Sequence, residues 1–397
     1  MATGPVARRQ APGSRRAARR RSRQVSRSHR TLVVVPTTFE PPRPWDESCS
    51  PDWIRRLPKA EVHLHLEGCV PTDTIGADGA RRSGVGFDPR TGTPIFPDLA
   101  AFLAFLDHSC ALIRDGGRLE KIAYDIAVRA AAGGVGHVDV IFNPVHWPAW
   151  RLDLERFVGH LDRGFAAGEA DHGVTAGLCL SLTRTQSPGE SVELVDWLLS
   201  ARPDRVVALS VDGNESVAGR TGQRFAPLFE RARGAGLHTC AHAGESSGPE
   251  GVRDAVDLLR VERVDHGIRA VEDSVLVEQL AARAVPLDIC PTSNVRLGVV
   301  TSLTTHPIER LRAAGVPVSV NTDDPLLFGV SVVDEYLSCS EAFSWDPVVL
   351  GEVAKTSIES SFAEPERKRR LHAALAHFLA ESRAPGLSSE SSSDDSR

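Results

Sequence analysis

No run of about 18 consecutive apolar residues occurs in the 397-residue chain, so no membrane-spanning helix is expected. The N-terminus also lacks the apolar stretch that a secretory signal needs. Cys49, Cys69, Cys110, Cys179, Cys240, Cys290 and Cys339 show no paired spacing, and their odd number argues against a complete intrachain disulfide framework. These absences point to a reducing, cytoplasmic setting. Acidic residues are missing from positions 1–39, which carry ten arginines; with a net charge of −6 for the whole chain, residues 40–397 therefore stand at −16. An Arg-rich extension, residues 1–45, buries too little apolar surface to offset its ordering entropy and is expected to be disordered. A Ser/Asp-rich tail, residues 384–397, is read the same way. Between them, residues 46–383 form one expected folded domain, of ordinary globular composition at 41% hydrophobic and 25% charged for the chain. Nucleic acid is not an expected partner, because an Arg-rich tail is more often a solvated segment than a binding arm.

What is present is alternation. Short apolar runs rich in β-branched residues, at 61–66, 137–142, 177–182, 206–211, 237–242, 263–266, 286–290 and 317–321, are separated by longer amphipathic segments. Eight strand–helix units over about 300 residues predict an α/β fold, a (β/α)₈ TIM-type barrel. An open doubly wound sheet has the same periodicity, but no glycine fingerprint for a dinucleotide follows the first strand. The longest gap comes after that strand. Within it Leu99, Phe102, Leu103, Phe105 and Leu106 recur at helical spacing. This predicts a helical insertion, either over the barrel mouth or against the outer wall.

The polar residues at the strand ends carry the chemistry. His63 and His65 alternate on the first strand, so both imidazoles can face one ion. His242 ends the fifth strand, His266 the sixth, and Asp323 and Asp324 follow the eighth. Strand C-termini converge on the mouth of a barrel, where such enzymes keep their sites. Three imidazoles and a carboxylate suit zinc with a position left for water, which assigns His63, His65, His242 and Asp323 to one Zn²⁺ per chain. Asp323-Asp324-Pro325 can equally be read as a helix cap. Glu245, three residues beyond His242, can shuttle protons if burial raises its pKa. His266 is a candidate base or electrostatic partner beside a metal-activated water.

Five segments, Pro58 to Gly68, His242-Ala243-Gly244-Glu245, Asp265-His266-Gly267, Cys290-Pro291-Thr292-Ser293-Asn294 and Asn321-Thr322-Asp323-Asp324-Pro325, resemble in order and spacing the signature segments of adenosine and adenine deaminases. The resemblance extends from about Trp53 to Phe362. It implies the barrel, one zinc ion, and hydrolytic removal of the 6-amino group from a small purine nucleoside or base. Carried over, it makes Glu245 the proton donor to purine N1 and His266 the residue that orients or deprotonates the attacking water. Asp324 becomes the acceptor facing N7. Gly213 supplies a backbone N–H toward N3, although its segment departs from the Ala-Gly-Asp-Glu form. His65 also borders the substrate. Glu67, two residues on, is expected on the same strand face, where it either meets a ribose or hydrogen-bonds a ligating imidazole. The Pro-Cys-x-x-Cys motif of cytidine-type zinc deaminases is missing. Residues 321–328 resemble the adenosine branch, whereas Glu67 and Asp265 resemble the adenine branch. Adenosine or 2′-deoxyadenosine is the leading substrate, with adenine or a specialised adenine-containing metabolite as alternatives. A non-catalytic binding barrel is disfavoured because the acid and metal set is intact.

Overall fold

The apolar runs become eight parallel strands: β1 (Lys59–His65), β2 (Val135–Phe142), β3 (Thr175–Thr183), β4 (Val206–Asp212), β5 (His238–Ala243), β6 (Arg263–His266), β7 (Leu287–Ile289) and β8 (Val318–Val320). The computed structural model describes residues 49–74, 85–220 and 222–383. The expected extensions at 1–45 and 384–397 lie outside the described residues. Each strand pairs with its successor in sequence, in the order β1 to β8. Such an order with helical crossovers is that of a TIM-type barrel rather than of a doubly wound sheet, whose order reverses.

Closure is made by few groups. Between β1 and the segment after β8 there is a single bridge, Leu64 to Asp323. The His65 N–H donates to the Asp323 carbonyl at 2.8 Å, and the Asp323 N–H to the His63 carbonyl at 3.1 Å. Side chains complete the seam. Asn321 Oδ1 accepts from the N–H groups of Val62 (2.8 Å) and His63 (3.3 Å). The Thr322 hydroxyl donates to Glu61 at 2.6 Å. Outside, Ser357 on the helix Pro347–Ser360 accepts from the Ala60 N–H, so this helix covers the join.

The barrel interior is charged below the mouth. Arg263 on β6 is fully buried. Its guanidinium donates to Asp139 (2.6 Å) and to the carbonyls of Ser360 (2.9 Å) and Val62 (2.8 Å), and its Nε lies 3.0 Å from Asp288. It also stacks 3.9 Å above the Phe362 ring centroid. Burial opposes ionisation of Asp139, but Arg263 and His137 outweigh it and hold the pKa at about 2. At the floor, the Lys59 ammonium donates to the carbonyls of Ile54, Leu57 and Gly133. Burial draws its pKa down to about 7.

The insertion after β1 covers the mouth. Its helix Leu99–Ala111 starts at Asp98, whose side chain accepts from the Ala101 N–H. Phe102 stacks on Phe328 at 5.4 Å, and Phe96 meets Phe102 edge-on at 5.1 Å, pinning the helix to the short helix Pro325–Phe328.

Removing the central cation leaves several buried carboxylates uncompensated. Arg263→Leu is therefore expected to lower unfolding free energy by about 3–5 kcal/mol, read from the urea midpoint. A midpoint equal to that of the parent protein would show that the network contributes no net stability.

Candidate active site

At the barrel mouth His63, His65, His242 and Asp323 bring one donor atom each within 4.8 Å of the others. The Nε2 atoms of His63 and His65 lie 3.1 and 2.9 Å from Nε2 of His242. Both lie 3.3 Å from Oδ1 of Asp323. A tetrahedral ion with ligands at about 2.0 Å needs donor separations of roughly 3.3 Å, so the four residues fit such a group. The chemistry of the donors agrees. Burial disfavours a charged His63, yet Asp323 and Asp265 raise its pKa to about 9; the carboxylates demand a cation where the donor atoms meet. Burial keeps His65 neutral, with its pKa drawn to about 4.

The ligating rings are aimed by groups behind them. His63 Nδ1 donates to the Asp288 carbonyl at 2.9 Å, leaving Nε2 to face the mouth. His242 Nδ1 lies 3.4 Å from Asp265. The Ser293 hydroxyl donates to Asp323 Oδ2 at 2.6 Å, freeing Oδ1. A second set, His63, His266, Cys290 and Asp323, also brings donor atoms together. Burial raises the Cys290 thiol well above its ordinary pKa, and a thiol kept protonated is a poor ligand.

Asp323 and His266 adopt left-handed backbone, with φ of +63° and +64°. Neither is glycine, and such conformations cost about 1–3 kcal/mol each, which functional sites tend to retain. They turn both side chains from the strand ends into the mouth.

Glu245 lies beside this group, its Oε1 3.6 Å from His266 Nε2. Burial, then Asp323 and Glu215, raises its pKa to about 8, so it holds a proton at neutral pH. Its loop is fixed by Glu215, whose carboxylate accepts from the N–H groups of Gly244, Glu245, Ser246 and Ser247. Glu215 lies two residues beyond Gly213, but its role depends on a partner 30 residues away.

Asp324 stands at the N-cap position that the Asp-Pro pair suggests. Its side chain makes no cap hydrogen bond to the helix Pro325–Phe328. Burial and the adjoining Asp323 raise its pKa well above normal. Gly68 makes room for it: a Cβ there would fall 2.2 Å from Asp324 Oδ1.

Glu67 is not on the strand. Leu66 turns to helical φ and ψ, and Glu67 opens a short 3₁₀ turn, Glu67–Cys69. Its Oε1 accepts from the Asn143 N–H (2.8 Å) and Trp147 Nε1 (2.7 Å). Oε2 has no hydrogen-bond partner and lies 3.9 Å from His65 Nδ1, too far to orient that ring. Burial raises the Glu67 pKa to about 7. The cavity is lined by Glu67, His65, Gly213, Glu245, His266 and Asp324, and is roofed by Leu99, Phe102, Leu103 and Leu106 of the insertion helix. Eight of the nine anticipated site residues thus border one space, and His63 lies fully buried behind it, against His242 and Asp323. Sequence reasoning missed Asp288, Glu215 and His306, and left Ser293 and Asn294 without roles. Of these, only Ser293 and Asn294, inside a quoted signature segment, and Glu215 carried any signal.

The donor set predicts about one divalent ion per chain by elemental analysis, and Asp323→Ala is expected to lose it because a carboxylate ligand is removed. Full metal content in Asp323→Ala would displace that residue from the set.

Over residues 58–378 the chain matches the adenosine deaminase family. The adenine deaminase of Rhodospirillum rubrum is 34% identical over 330 residues, covering 82% of this chain and 98% of that protein. That of Streptomyces coelicolor is 36% identical over 337 residues, covering 83% and 96%. The crystal structure of adenine deaminase from Arthrobacter aurescens superposes with a TM-score of 0.74 at 33% identity, over 81% of this chain and 99% of that one. An amidohydrolase from Burkholderia ambifaria with bound zinc gives 0.74 at 27% identity, over 86% and 95%. With its eight-stranded barrel and its His/Asp group at the mouth, the chain belongs to the adenosine deaminase family of metal-dependent purine aminohydrolases.

Proposed function

We propose that this protein hydrolyses the free base adenine to hypoxanthine and ammonia, using one zinc ion held by His63, His65, His242 and Asp323. The expectation from sequence put adenosine first. The observation that carries the change is near full-length similarity, at 34% and 36% identity, to proteins named adenine deaminase. The cavity is in keeping with a base. Its roof of Leu99, Phe102, Leu103 and Leu106 is apolar and suits the face of a purine ring. The choice of zinc is supported by the donor set and by zinc in the Burkholderia relative.

When bound, the ion supplies Lewis acidity and lowers the pKa of water toward about 7. The remaining work belongs to side chains. Glu245, protonated at neutral pH, donates to N1 of the ring and makes C6 electrophilic. Asp323, steadied by Ser293, and His266 face the oxygen that adds to C6. Asp324 donates to N7, which accepts in the ordinary purine tautomer. Gly213, at φ +91°, brings backbone close to the far edge of the ring. Glu67 Oε2 is an acceptor for a ring N–H that only the free base carries. One water is consumed: its oxygen becomes the C6 carbonyl oxygen, the C6–N bond breaks, the proton given by Glu245 stays on N1 of hypoxanthine, and of the two water protons one leaves with the amino group as ammonia and the other restores Glu245.

Four outcomes check this reading. In ammonia-release assays on adenine, adenosine, 2′-deoxyadenosine and AMP, adenine is expected to lead adenosine in kcat/KM by about 100-fold or more, the discrimination a site gains when a buried acceptor is left unpaired. Faster turnover of adenosine would reverse the assignment. Glu245→Gln should retain zinc and lose activity by about 100-fold or more. Because Glu245 must be protonated to donate, kcat/KM should fall as pH rises through its pKa; a profile flat from pH 6 to 10 would remove it as the acid. Glu67→Gln should cost adenine about 1–2 kcal/mol in kcat/KM, with metal content unchanged.

A further inference from the structure

His266 stands at the mouth outside the four-donor set, and its two ring nitrogens meet different surroundings. Nε2 faces Glu245 Oε1 at 3.6 Å and Asp323 Oδ2 at 3.8 Å. Nδ1 lies 3.2 Å from Asn294 Nδ2. Behind Asn294, His306 Nε2 is 3.1 Å from Asn294 Oδ1. Behind His306, the backbone N–H of Ile308 points at His306 Nδ1 from 3.1 Å. His266, Asn294 and His306 are all buried.

The chain of contacts has one end whose direction is fixed. A backbone N–H can only donate, so His306 Nδ1 must accept and its ring proton must sit on Nε2. That N–H then requires an acceptor, which orients the Asn294 amide with Oδ1 toward His306. The opposite side of the amide presents its NH₂ to His266. A donor there makes His266 Nδ1 an acceptor, which leaves the His266 proton on Nε2, facing the mouth. Each link follows from the one before, with no freedom of tautomer or amide flip.

We propose that Asn294 and His306 are positioning residues that hold His266 in its Nε2–H tautomer, so that this ring meets the reacting oxygen as a hydrogen-bond donor rather than as a base. The sequence reading left both roles open for His266. Neither positioning residue borders the cavity; they act through His266 alone. A donor at this point stabilises negative charge on the oxygen that adds to C6, and proton acceptance falls to the carboxylates beside it. The inference rests on the proposed chemistry only for its effect on turnover, since the position of the proton can be read without substrate.

The test uses the full chain loaded with zinc and labelled with ¹⁵N-histidine. Long-range ¹H–¹⁵N correlation separates the two tautomers, and the His266 signal is assigned by its loss in His266→Gln. The parent protein is expected to show Nε2 protonated and Nδ1 bare. A protonated Nδ1 in the parent protein overturns the proposal, whether or not any variant folds. Asn294→Asp replaces the donor with a carboxylate that draws the proton onto Nδ1, so the spectrum should switch. With that switch, kcat on adenine should fall about 100-fold or more while KM changes little. His306→Gln, whose amide can still donate to Asn294 Oδ1, should keep the parent tautomer, whereas His306→Leu should lose it. An unswitched spectrum with parental kcat in Asn294→Asp refutes the assignment. A switched spectrum with parental kcat shows that His266 is not at the reacting atoms, a failure of the chemistry rather than of the relay.

Discussion

Three carboxylates, Asp139, Asp265 and Asp288, converge on the guanidinium of Arg263 in the middle of the barrel. The mouth is organised from this ion pair network upward. Asp288 is tied to Arg263 by its side chain and receives His63 Nδ1 on its backbone carbonyl. Asp265 stands between Arg263 and His242. Two of the four donor residues therefore lean on groups whose charge is balanced by one cation below them. A histidine holds a metal well only when its other nitrogen is fixed, and here the fixing groups are themselves anchored. The same guanidinium reaches the Val62 carbonyl in β1 and the Ser360 carbonyl at the end of an outer helix, so the network also joins the barrel wall to its cover.

The parts of this design that follow a short period were legible in the sequence. Strands appeared as apolar runs, and His63 and His65 declared themselves by alternation, which is the strand's own geometry. Glu67 was misplaced by the same reasoning, because it assumed that the strand continued; Leu66 turns the chain one residue after β1 ends. The side of the barrel taken by the insertion helix was open in the sequence, since an apolar helical face fits a mouth or a wall equally well. The ring contact between Phe102 and Phe328, which decides it, joins residues 226 positions apart.

Buried polar residues were the least legible. Arg263 and Asp288 interrupt apolar runs and look like solvent-facing positions until several of them meet in space. Asn294 and His306 sit in a helix and a loop with no shared periodicity, and each is unremarkable alone. Asp324 does precede a helix, as Asp before Pro suggests, but its side chain makes no cap hydrogen bond and is buried beside Asp323. Such roles come from the partner rather than from the residue.

The seam between β1 and the segment after β8 has a further consequence for how the chain folds. It joins residues some 259 positions apart, the widest separation a ring of sequential strands can contain, so its entropic cost falls on the last stage of assembly. A full ladder would offset that cost with many backbone hydrogen bonds, but here one bridge and the side chains of Asn321, Thr322 and Glu61 must serve. His63 and His65 lie on one side of the seam and Asp323 on the other, so an ion held by all three is also a cross-link over the chain's longest loop. With an ion held there, its capture and the closing of the ring would be one event.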